Sequence, residues 1–291
     1  MLTYPAIDPV IFSIGPLAVR WYGVTYVIAF AICWWLGRKR ASQPGSTWKP
    51  TDIDDIIFYG ALGAILGGRI GWVLFYGFEN FLKEPTMLFK VWQGGMSFHG
   101  GLLGVMTAEA ILARSRGHRI ADMFDFIVAL PGLGILSVRI ANFINGELWG
   151  KPTTVPWGFH VDPSKLHDSQ RHEALSLCDR FDISPCVLQL HASQLYEGIL
   201  EGLVLFVIVW VYTSKPRPQL APTGLFLICY GVARFAVEFV RIPDENRGYL
   251  LFDWVTMGQI LTTPMILIGI ALMVIAYRRN VPSGNVVRSD G

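Results

Sequence analysis

Residues 222–240 read PTGLFLICYGVARFAVEFV, and this stretch decides the class of fold. A transmembrane helix needs about 20 mostly apolar residues to cross a hydrocarbon core about 30 Å thick. The stretch has this length and carries one basic and one acidic residue, Arg234 and Glu238. We therefore interpret it as a membrane-spanning helix that bears two charged side chains.

Six further stretches have comparable length and apolar composition, which together predict an all-α polytopic membrane protein with seven transmembrane helices. These stretches are residues 17–37, 56–78, 96–113, 122–141, 197–213 and 254–277.

The composition of the whole chain agrees with this interpretation. Of the 291 residues, 52% are hydrophobic and 16% are charged, and the mean hydropathy is +0.43. Soluble domains have nearer a quarter of their residues charged, so a cytosolic enzyme is disfavoured, as are a disordered chain, a collagen and a coiled coil. Ten Trp and ten Tyr fit aromatic belts at a bilayer interface. A net charge of +2 is too small to indicate a nucleic-acid partner.

Lys and Arg in the loops predict the orientation. Loops 38–55, 114–121, 214–221 and 278–291 contain twelve, whereas the opposite loops contain nine over about twice the length. The first set is therefore cytoplasmic, so the N-terminus is periplasmic and the C-terminus cytoplasmic. The first apolar run follows no basic segment and precedes no small-residue cleavage site, so we expect it to be retained.

This orientation divides the chain into four parts. Residues 1–141 contain helices 1–4, 142–196 form a small periplasmic cap, 197–277 contain helices 5–7, and 278–291 are a cytoplasmic tail. The cap is polar and rich in proline. It contains Cys178 and Cys186, and the sequence leaves open whether they form a disulfide.

Glycines in the second predicted helix lie on one face. Gly63, Gly67 and Gly71 recur at every fourth position, so this face has no side chains. It can pack closely against another helix, or it can form a smooth wall beside a lipid chain.

The functional argument depends on three arginines, Arg69, Arg139 and Arg234, inside predicted spans, where a charge requires a partner or a cavity. Tyr230, Arg234 and Glu238 share one helix face, and Arg241 follows. One interpretation is an Arg234–Glu238 ion pair that ties helices together. The other is an anion site, because a guanidinium group binds phosphate through two parallel hydrogen bonds.

The stretch from Arg139 to Gly150 reads RIANFINGELWG and ends the fourth span. Asn142, Asn145 and Glu147 are poor lipid-facing residues, so we expect them to turn inward where the helix breaks. This stretch is a second part of the predicted site.

Three other positions allow both a structural and a functional interpretation. His99, flanked by glycines, can hydrogen-bond a helix end or accept a proton near neutral pH. Tyr22 alone is a belt residue. Residues 191–197 can begin the fifth span with Ser193 as its cap. Gln194, Glu197 and Glu201 line one face of this span.

Other chemistries find no support. The sequence contains no nucleophile elbow, P-loop or metalloprotease helix motif. The His and Cys residues between 160 and 186 do not have the spacing of a zinc site. We expect no metal and no cofactor.

Seven stretches, in order along nearly the whole chain, resemble the prolipoprotein diacylglyceryl transferase family. They are 20–23, 67–71, 94–101, 139–150, 191–197, 230–244 and 257–259. The chain departs from the family pattern at Leu136, Val138, Ala141 and Ala192, where smaller residues or a proline are usual.

The resemblance implies a multi-pass enzyme of the bacterial inner membrane. Its substrates would be phosphatidylglycerol and the lipobox cysteine of a prolipoprotein signal peptide; a thioether would form and glycerol-1-phosphate would leave. The implied catalytic residues are His99, Arg139 and Arg234. The implied substrate-binding positions are Tyr22, Arg139, Asn142, Asn145, Glu147, Gly150, Tyr230, Arg234, Glu238 and Arg241.

These residues give a mechanistic hypothesis and a rival. Arg139 and Arg234 would hold the phosphate and stabilise leaving-group charge, and His99, or a base that it assists, would help to form the thiolate. The rival is a transporter or flippase for an anionic lipid or solute, which buried arginines would also serve. A transporter favours internal repeats, and the sequence shows none.

Overall fold

The described chain is mostly helical and divides into two compact units. A computed structural model describes residues 2–15, 17–44, 46–90, 94–243, 248–250, 252 and 254–283. The first unit comprises Met1–Cys33 and Val128–Val281, and the second comprises Trp34–Ile127 and Pro282–Gly291.

Every stretch predicted to span the membrane contains helix. The α-helices in chain order are α1 (Trp21–Ala41), α2 (Pro50–Tyr76), α3 (Phe78–Lys83), α4 (Phe98–Ser115), α5 (Ile120–Ile127), α6 (Gly132–Asn145), α7 (Asp168–Arg180), α8 (Ser193–Glu197), α9 (Leu205–Tyr212), α10 (Ala221–Val237) and α11 (Met257–Arg279).

Among the residues that the structure describes, three helical segments are long and apolar enough to cross a membrane by themselves. They are Pro50–Tyr76, Ser193–Tyr212 and Met257–Arg279, and a fourth is obtained if α5 and α6 count as one broken span. Ala221–Val237 is apolar but shorter. A membrane protein is therefore supported, while the number seven and the orientation of the termini stay predictions.

Two of the predicted spans have the wrong boundaries. Residues 17–20 belong to a β-hairpin, in which β2 (Val10–Ile14) pairs antiparallel with β3 (Leu17–Arg20), and α1 begins only at Trp21. The fourth span is not one helix, because it is interrupted between α5 and α6. Pro131, which has no N–H to donate, immediately precedes α6.

The expectation of an all-α chain also needs correction, because the first unit contains a small sheet. β1 (Leu2–Thr3) pairs parallel with β4 (Phe159–Val161), which pairs antiparallel with β5 (Leu188–Leu190). Backbone groups outside helices need partners, and short strands supply them. The sheet and α7 enclose their own apolar core, including Trp149, Leu177 and Leu190.

Cys178 and Cys186 form a disulfide beside this core, which resolves the alternative that the sequence leaves open.

In the second unit, α2 and α4 pack through their glycines. A Cβ added at Gly67 would lie 2.3 Å from the Gly100 carbonyl oxygen, and one added at Gly104 would lie 2.0 Å from that of Gly63. The two backbones therefore touch, and any side chain at these positions would separate them. The glycine stripe has the packing role rather than that of a wall for a lipid chain.

Arg69, which the sequence predicts to lie within a span, belongs to the second unit, and backbone carbonyl groups satisfy its charge. Its guanidinium group donates hydrogen bonds to the carbonyl oxygens of Met87, Leu88, Gly94 and Gly95. The side chain is thereby used to hold the connection between α2 and α4.

The helical segment at residues 193–212 is continuous but irregular. A π-helical stretch, Gly198–Val204, joins α8 to α9. Gly202 of this stretch lies against α6: an added Cβ would be 2.9 Å from the Leu136 backbone nitrogen and 3.0 Å from the Gly132 oxygen. The close approach accommodates Leu136 and brings the acidic side chains of the π-helical region towards α6.

Candidate functional site

Glu197, the last residue of α8, lies at the centre of a buried ion cluster in the first unit. One carboxylate oxygen, Oε1, accepts hydrogen bonds from Arg234 Nη1 at 2.5 Å and from Arg241 Nη1 at 2.6 Å. The other, Oε2, lies 2.9 Å from Arg139 Nε. A single carboxylate thus faces three guanidinium groups from three parts of the chain.

Arg234 connects this carboxylate to a second one. Its Nη2 donates a hydrogen bond to Glu238 Oε1, so the ion pair expected from their i, i+4 spacing is present. Glu238 Oε2 accepts a hydrogen bond of 2.7 Å from the Thr256 hydroxyl at the start of α11. A side chain at position 258 would displace the carboxyl group of Glu238, because an added Cβ would lie 2.5 Å from its carboxyl carbon.

Arg139 connects the cluster to the stretch that ends α6. Its Nη1 donates to Asn142 Oδ1 at 3.2 Å, and Asn142 Nδ2 donates to Glu147 Oε1 at 2.7 Å. Asn145 Nδ2 reaches the same oxygen at 3.4 Å. The residues predicted to turn inward therefore form one hydrogen-bonded row that leads to the guanidinium group.

The sharp end of α6 makes this row possible. Gly146 has φ +67°, and the N–H groups of Gly146 and Glu147 return to the carbonyl oxygens of Phe143 and Asn142. This is the Schellman arrangement, which favours glycine because its φ is positive. It folds Glu147 back over the last turn of the helix.

A clasp formed by Tyr4 and Gln170 secures the end of α6 from outside. The Tyr4 hydroxyl lies 2.8 Å and 2.9 Å from the carbonyl oxygens of Phe143 and Ile144. Gln170 Nε2 donates to the Ile144 oxygen at 2.7 Å and lies 3.1 Å from the Tyr4 hydroxyl. Tyr4, which follows β1, and Gln170 of α7 thus fix the end of α6, where the hydrogen-bonded row begins.

Three more predicted binding positions lie in the same unit. Tyr22 is near Arg139 and Glu147, and its hydroxyl is 3.4 Å from that of Tyr26. Tyr230 is near Arg139, Arg234 and Glu201.

Gly150 contributes through its backbone. Its N–H donates a hydrogen bond of 2.8 Å to the His191 carbonyl oxygen, and Gly150 pairs with Arg241 in an isolated antiparallel β-bridge.

His191 itself stays outside the ion cluster. Its Nδ1 lies 3.1 Å from the Tyr196 hydroxyl, and burial lowers the pKa of the imidazole below its ordinary value near 6.5. We therefore expect an uncharged ring at neutral pH.

His99 belongs to the second unit, near the start of α4. Its side chain is exposed, and its ring contacts that of Phe98 edge to face. The structure therefore places ten of the predicted site residues in the first unit and His99 in the second. The roles of all of them stay predictions.

Two glutamates that are absent from the predicted set of site residues complete the ion cluster. Glu197 and Glu201 lie one helical turn apart and are both fully buried. The sequence shows that both lie on one face of an apolar span. The same pattern is also explained by a helix that begins with a cap and favourable acidic residues, so it does not by itself indicate a site. Ser193 does not cap the helix. Its hydroxyl donates a hydrogen bond of 2.7 Å to the Leu148 carbonyl oxygen, and α8 begins without a side-chain cap.

The charged groups of the cluster differ in how much of their surface is exposed. The side chains of Arg139 and Arg234 keep 21% and 16% of their surface exposed, whereas Glu197 and Glu201 have none. The carboxylates therefore lie behind the guanidinium groups, whose remaining N–H donors can take an anion.

Comparison with known proteins agrees with the sequence resemblance. The family model described as prolipoprotein diacylglyceryl transferase matches residues 9–275. Curated relatives named phosphatidylglycerol–prolipoprotein diacylglyceryl transferase match over almost their full length. That of Nitratidesulfovibrio vulgaris is 50% identical, covering 94% of this chain and 96% of its own. Those of Methylococcus capsulatus and Pseudomonas aeruginosa are 49% and 48% identical, each over 96% of this chain and over 99% and 97% of their own.

Proposed function

We infer that this chain, which belongs to the prolipoprotein diacylglyceryl transferase family, transfers the diacylglyceryl group of phosphatidylglycerol to a prolipoprotein. It is a membrane enzyme of lipoprotein maturation and catalyses the first step. The observation that carries this conclusion at the site is the convergence of Arg139, Arg234 and Arg241 on buried Glu197.

The acceptor would be the lipobox cysteine of the prolipoprotein signal peptide. Its sulfur attacks the glyceryl carbon of the lipid while the bond from that carbon to the phosphate oxygen breaks. A thioether forms, the thiol proton passes to a base, and glycerol-1-phosphate leaves with the bonding electrons. No acyl-enzyme forms in this sequence of events.

In this proposal Arg139 and Arg234 bind the phosphate and stabilise the negative charge that develops on the leaving oxygen. Glu238, through its contact with Arg234, and Asn142, through its contact with Arg139, orient the two guanidinium groups. The rest of the substrate-binding surface is formed by Tyr22, Asn145, Glu147, Gly150, Tyr230 and Arg241. His99, or a base that it assists, takes the thiol proton.

We further propose that the chain crosses the bacterial inner membrane seven times, with a periplasmic N-terminus and a cytoplasmic C-terminus. Residues 1–141 and 197–277 would contain the spans, residues 142–196 the periplasmic cap, and residues 278–291 a cytoplasmic tail. The Cys178–Cys186 disulfide supports the position of the cap, because disulfides persist in oxidising compartments.

One assay separates the transferase from an anionic lipid transporter or flippase. Purified protein is incubated with phosphatidylglycerol and a lipobox peptide, and the peptide is examined by mass spectrometry for the mass of one diacylglyceryl group. The transferase forms this adduct, and a transporter moves lipid without it. Folded protein that yields no adduct would contradict the proposal.

Arg234→Lys tests the phosphate clamp in the same assay. Lysine keeps the charge but cannot contact Glu197 and Glu238 with two rigidly spaced groups as Arg234 does. We expect kcat/KM to fall by about a hundredfold or more, the size of loss found when one transition-state donor is removed. Full activity in Arg234→Lys would refute the binding of the lipid phosphate by two hydrogen bonds from the Arg234 guanidinium group.

His99→Gln tests the proton acceptor in that assay. Glutamine can replace a hydrogen bond but cannot take a proton near neutral pH, so we expect a loss of about 10²–10⁴-fold in kcat. Full activity would leave His99 with a structural role only.

A further inference from the structure

Glu201, in the π-helical stretch, is a buried carboxylate that the mechanism above does not use. Its Oε1 lies 3.8 Å from Arg234 Nη1 and its Oε2 lies 3.9 Å from Arg139 Nη2. The side chain of Tyr230 interacts with this carboxylate, but among the described residues neither oxygen has a hydrogen-bond partner of good geometry, although the side chain of Glu201 is fully buried. Such a group is costly to keep charged without close partners. Its position facing both phosphate-binding arginines therefore requires an explanation.

Comparison with Glu197 shows how loosely Glu201 is held. The nearest guanidinium nitrogens lie 2.5 Å to 2.9 Å from Glu197. At Glu201 the corresponding separations are about 1 Å longer. When another anion approaches the arginines, Glu201 therefore gives up weaker interactions than Glu197 would.

Apart from the half-buried Glu147 of the row, the cluster contains as many carboxylates as guanidinium groups. The guanidinium groups of Arg139, Arg234 and Arg241 contact the carboxylates of Glu197, Glu201 and Glu238. A phosphate diester carries one negative charge, so its arrival leaves one carboxylate in excess in a medium of low dielectric constant. Neutrality returns if one carboxylate takes up a proton or moves away.

We propose that Glu201 is a positioning residue that balances Arg139 and Arg234 while the lipid site is empty and yields them to the phosphate of the lipid. This inference rests on the proposed function. It makes Glu201 a competitor of both the lipid phosphate and the glycerol phosphate product, so it weakens substrate binding and speeds product release.

Glu201→Gln is the direct test. Glutamine has nearly the same shape but leaves the two arginines with one uncompensated positive charge, so an anion binds more tightly. In nanodiscs with varied phosphatidylglycerol content, we expect the apparent KM for this lipid to fall by about tenfold and kcat to fall with it. Glycerol-1-phosphate should inhibit at about tenfold lower concentration. A folded variant with unchanged KM and unchanged product inhibition would overturn the proposal.

Glu109→Gln is the matched control. Glu109 lies in α4 in the second unit, is also buried, and has one carboxylate oxygen without a hydrogen-bond partner among the described residues. A general effect of neutralising a buried glutamate would appear in both variants. A shift of KM in Glu201→Gln alone supports the proposal, and equal shifts in both contradict it.

A measurement on the unaltered protein covers the case in which Glu201→Gln fails to fold. Dicyclohexylcarbodiimide reacts with protonated carboxyl groups in apolar surroundings, and mass spectrometry locates the product. We expect labelling of Glu201 to increase severalfold in delipidated protein reconstituted with phosphatidylglycerol, compared with phosphatidylcholine. Equal labelling in the two lipids would overturn the proposal. If labelling increases but the same protein forms no peptide adduct, the proposed function fails and the anion exchange at Glu201 stands.

Discussion

At the scale of single residues, Glu197 is expected to have a large effect on stability. Its carboxylate is fully buried and contacts three arginines. The pairs are favourable only because each charge has its counterpart, since removing one partner from a buried ion pair leaves the other charge uncompensated. Glu197 therefore holds together side chains from α6, from α10 and from the segment that follows α10.

We predict that Glu197→Gln lowers the free energy of unfolding by about 3–5 kcal/mol, the range for a broken buried ion pair. The expected readout is a large fall in the thermal midpoint of the detergent-solubilised protein. Glu79→Gln, on the exposed surface of α3, is the control and should leave the midpoint nearly unchanged. A midpoint equal to that of the control would show that the arginines do not need this carboxylate.

At the scale of elements, the end of α6 is shaped by contacts from distant parts of the chain. Tyr4 and Gln170 bind carbonyl groups that the last turn of any helix leaves without intrahelical partners. Because the row from Glu147 to Arg139 begins at this turn, the clasp acts on the orientation of a guanidinium group that it does not contact.

Tyr4→Phe removes the hydroxyl while keeping the ring among its aromatic neighbours, Phe143 and Trp149. We predict a loss of about 1–3 kcal/mol in the free energy of unfolding, the cost of leaving a buried carbonyl group with fewer donors. A several-fold fall in kcat with unchanged KM should accompany it, as the row loosens. The control is Tyr59→Phe, on an exposed ring of α2. If both variants behave alike in the transfer assay and in thermal unfolding, the clasp has no influence on the site.

At the scale of the whole molecule, the disulfide gives the cap a chemical marker for its side of the membrane. Cys178 and Cys186 are paired, whereas Cys33 and Cys229 are free thiols within helices α1 and α10. In the unfolded chain the pairing closes a short loop, for which the chain-entropy estimate is about 2–3 kcal/mol of stabilisation.

We predict that a membrane-impermeant maleimide labels the cap cysteines of intact spheroplasts only after treatment with an impermeant reductant. The double variant Cys178→Ser/Cys186→Ser should show no such reductant-dependent labelling, and its thermal midpoint should fall. Labelling that requires permeabilised membranes would place the cap in the cytoplasm and reverse the proposed orientation.

The sequence predicts the positions of the helices well, because an apolar run of sufficient length identifies a buried helix without knowledge of its partners. It is less informative at residues 17–20, where an apolar strand and the start of an apolar helix look the same. The interruption before Gly132 has a local signal in Pro131, which immediately precedes α6.

The candidate site divides in the same way. Arg139, Arg234 and the row around Asn142 are recognisable because polar residues are conspicuous in apolar spans. The central role of Glu197 is not recognisable, because Arg234 and Arg241 lie 37 and 44 residues away along the chain and no local pattern brings them together. The contacts of Tyr4 and Gln170 are not recognisable for the same reason, since Phe143 follows Tyr4 by 139 positions in the chain.

The pairing of β1 with β4 sets an order for assembly during synthesis. Leu2 and Thr3 pair with Phe159 and His160, so the first strand has no partner until more than half of the chain has been translated. At about 5–20 residues per second this delay is about 10–30 seconds. Because Glu197, Arg234 and Arg241 come still later in the chain, the ion cluster cannot assemble before this strand pairing is possible, and maturation of the site is a late event in biogenesis.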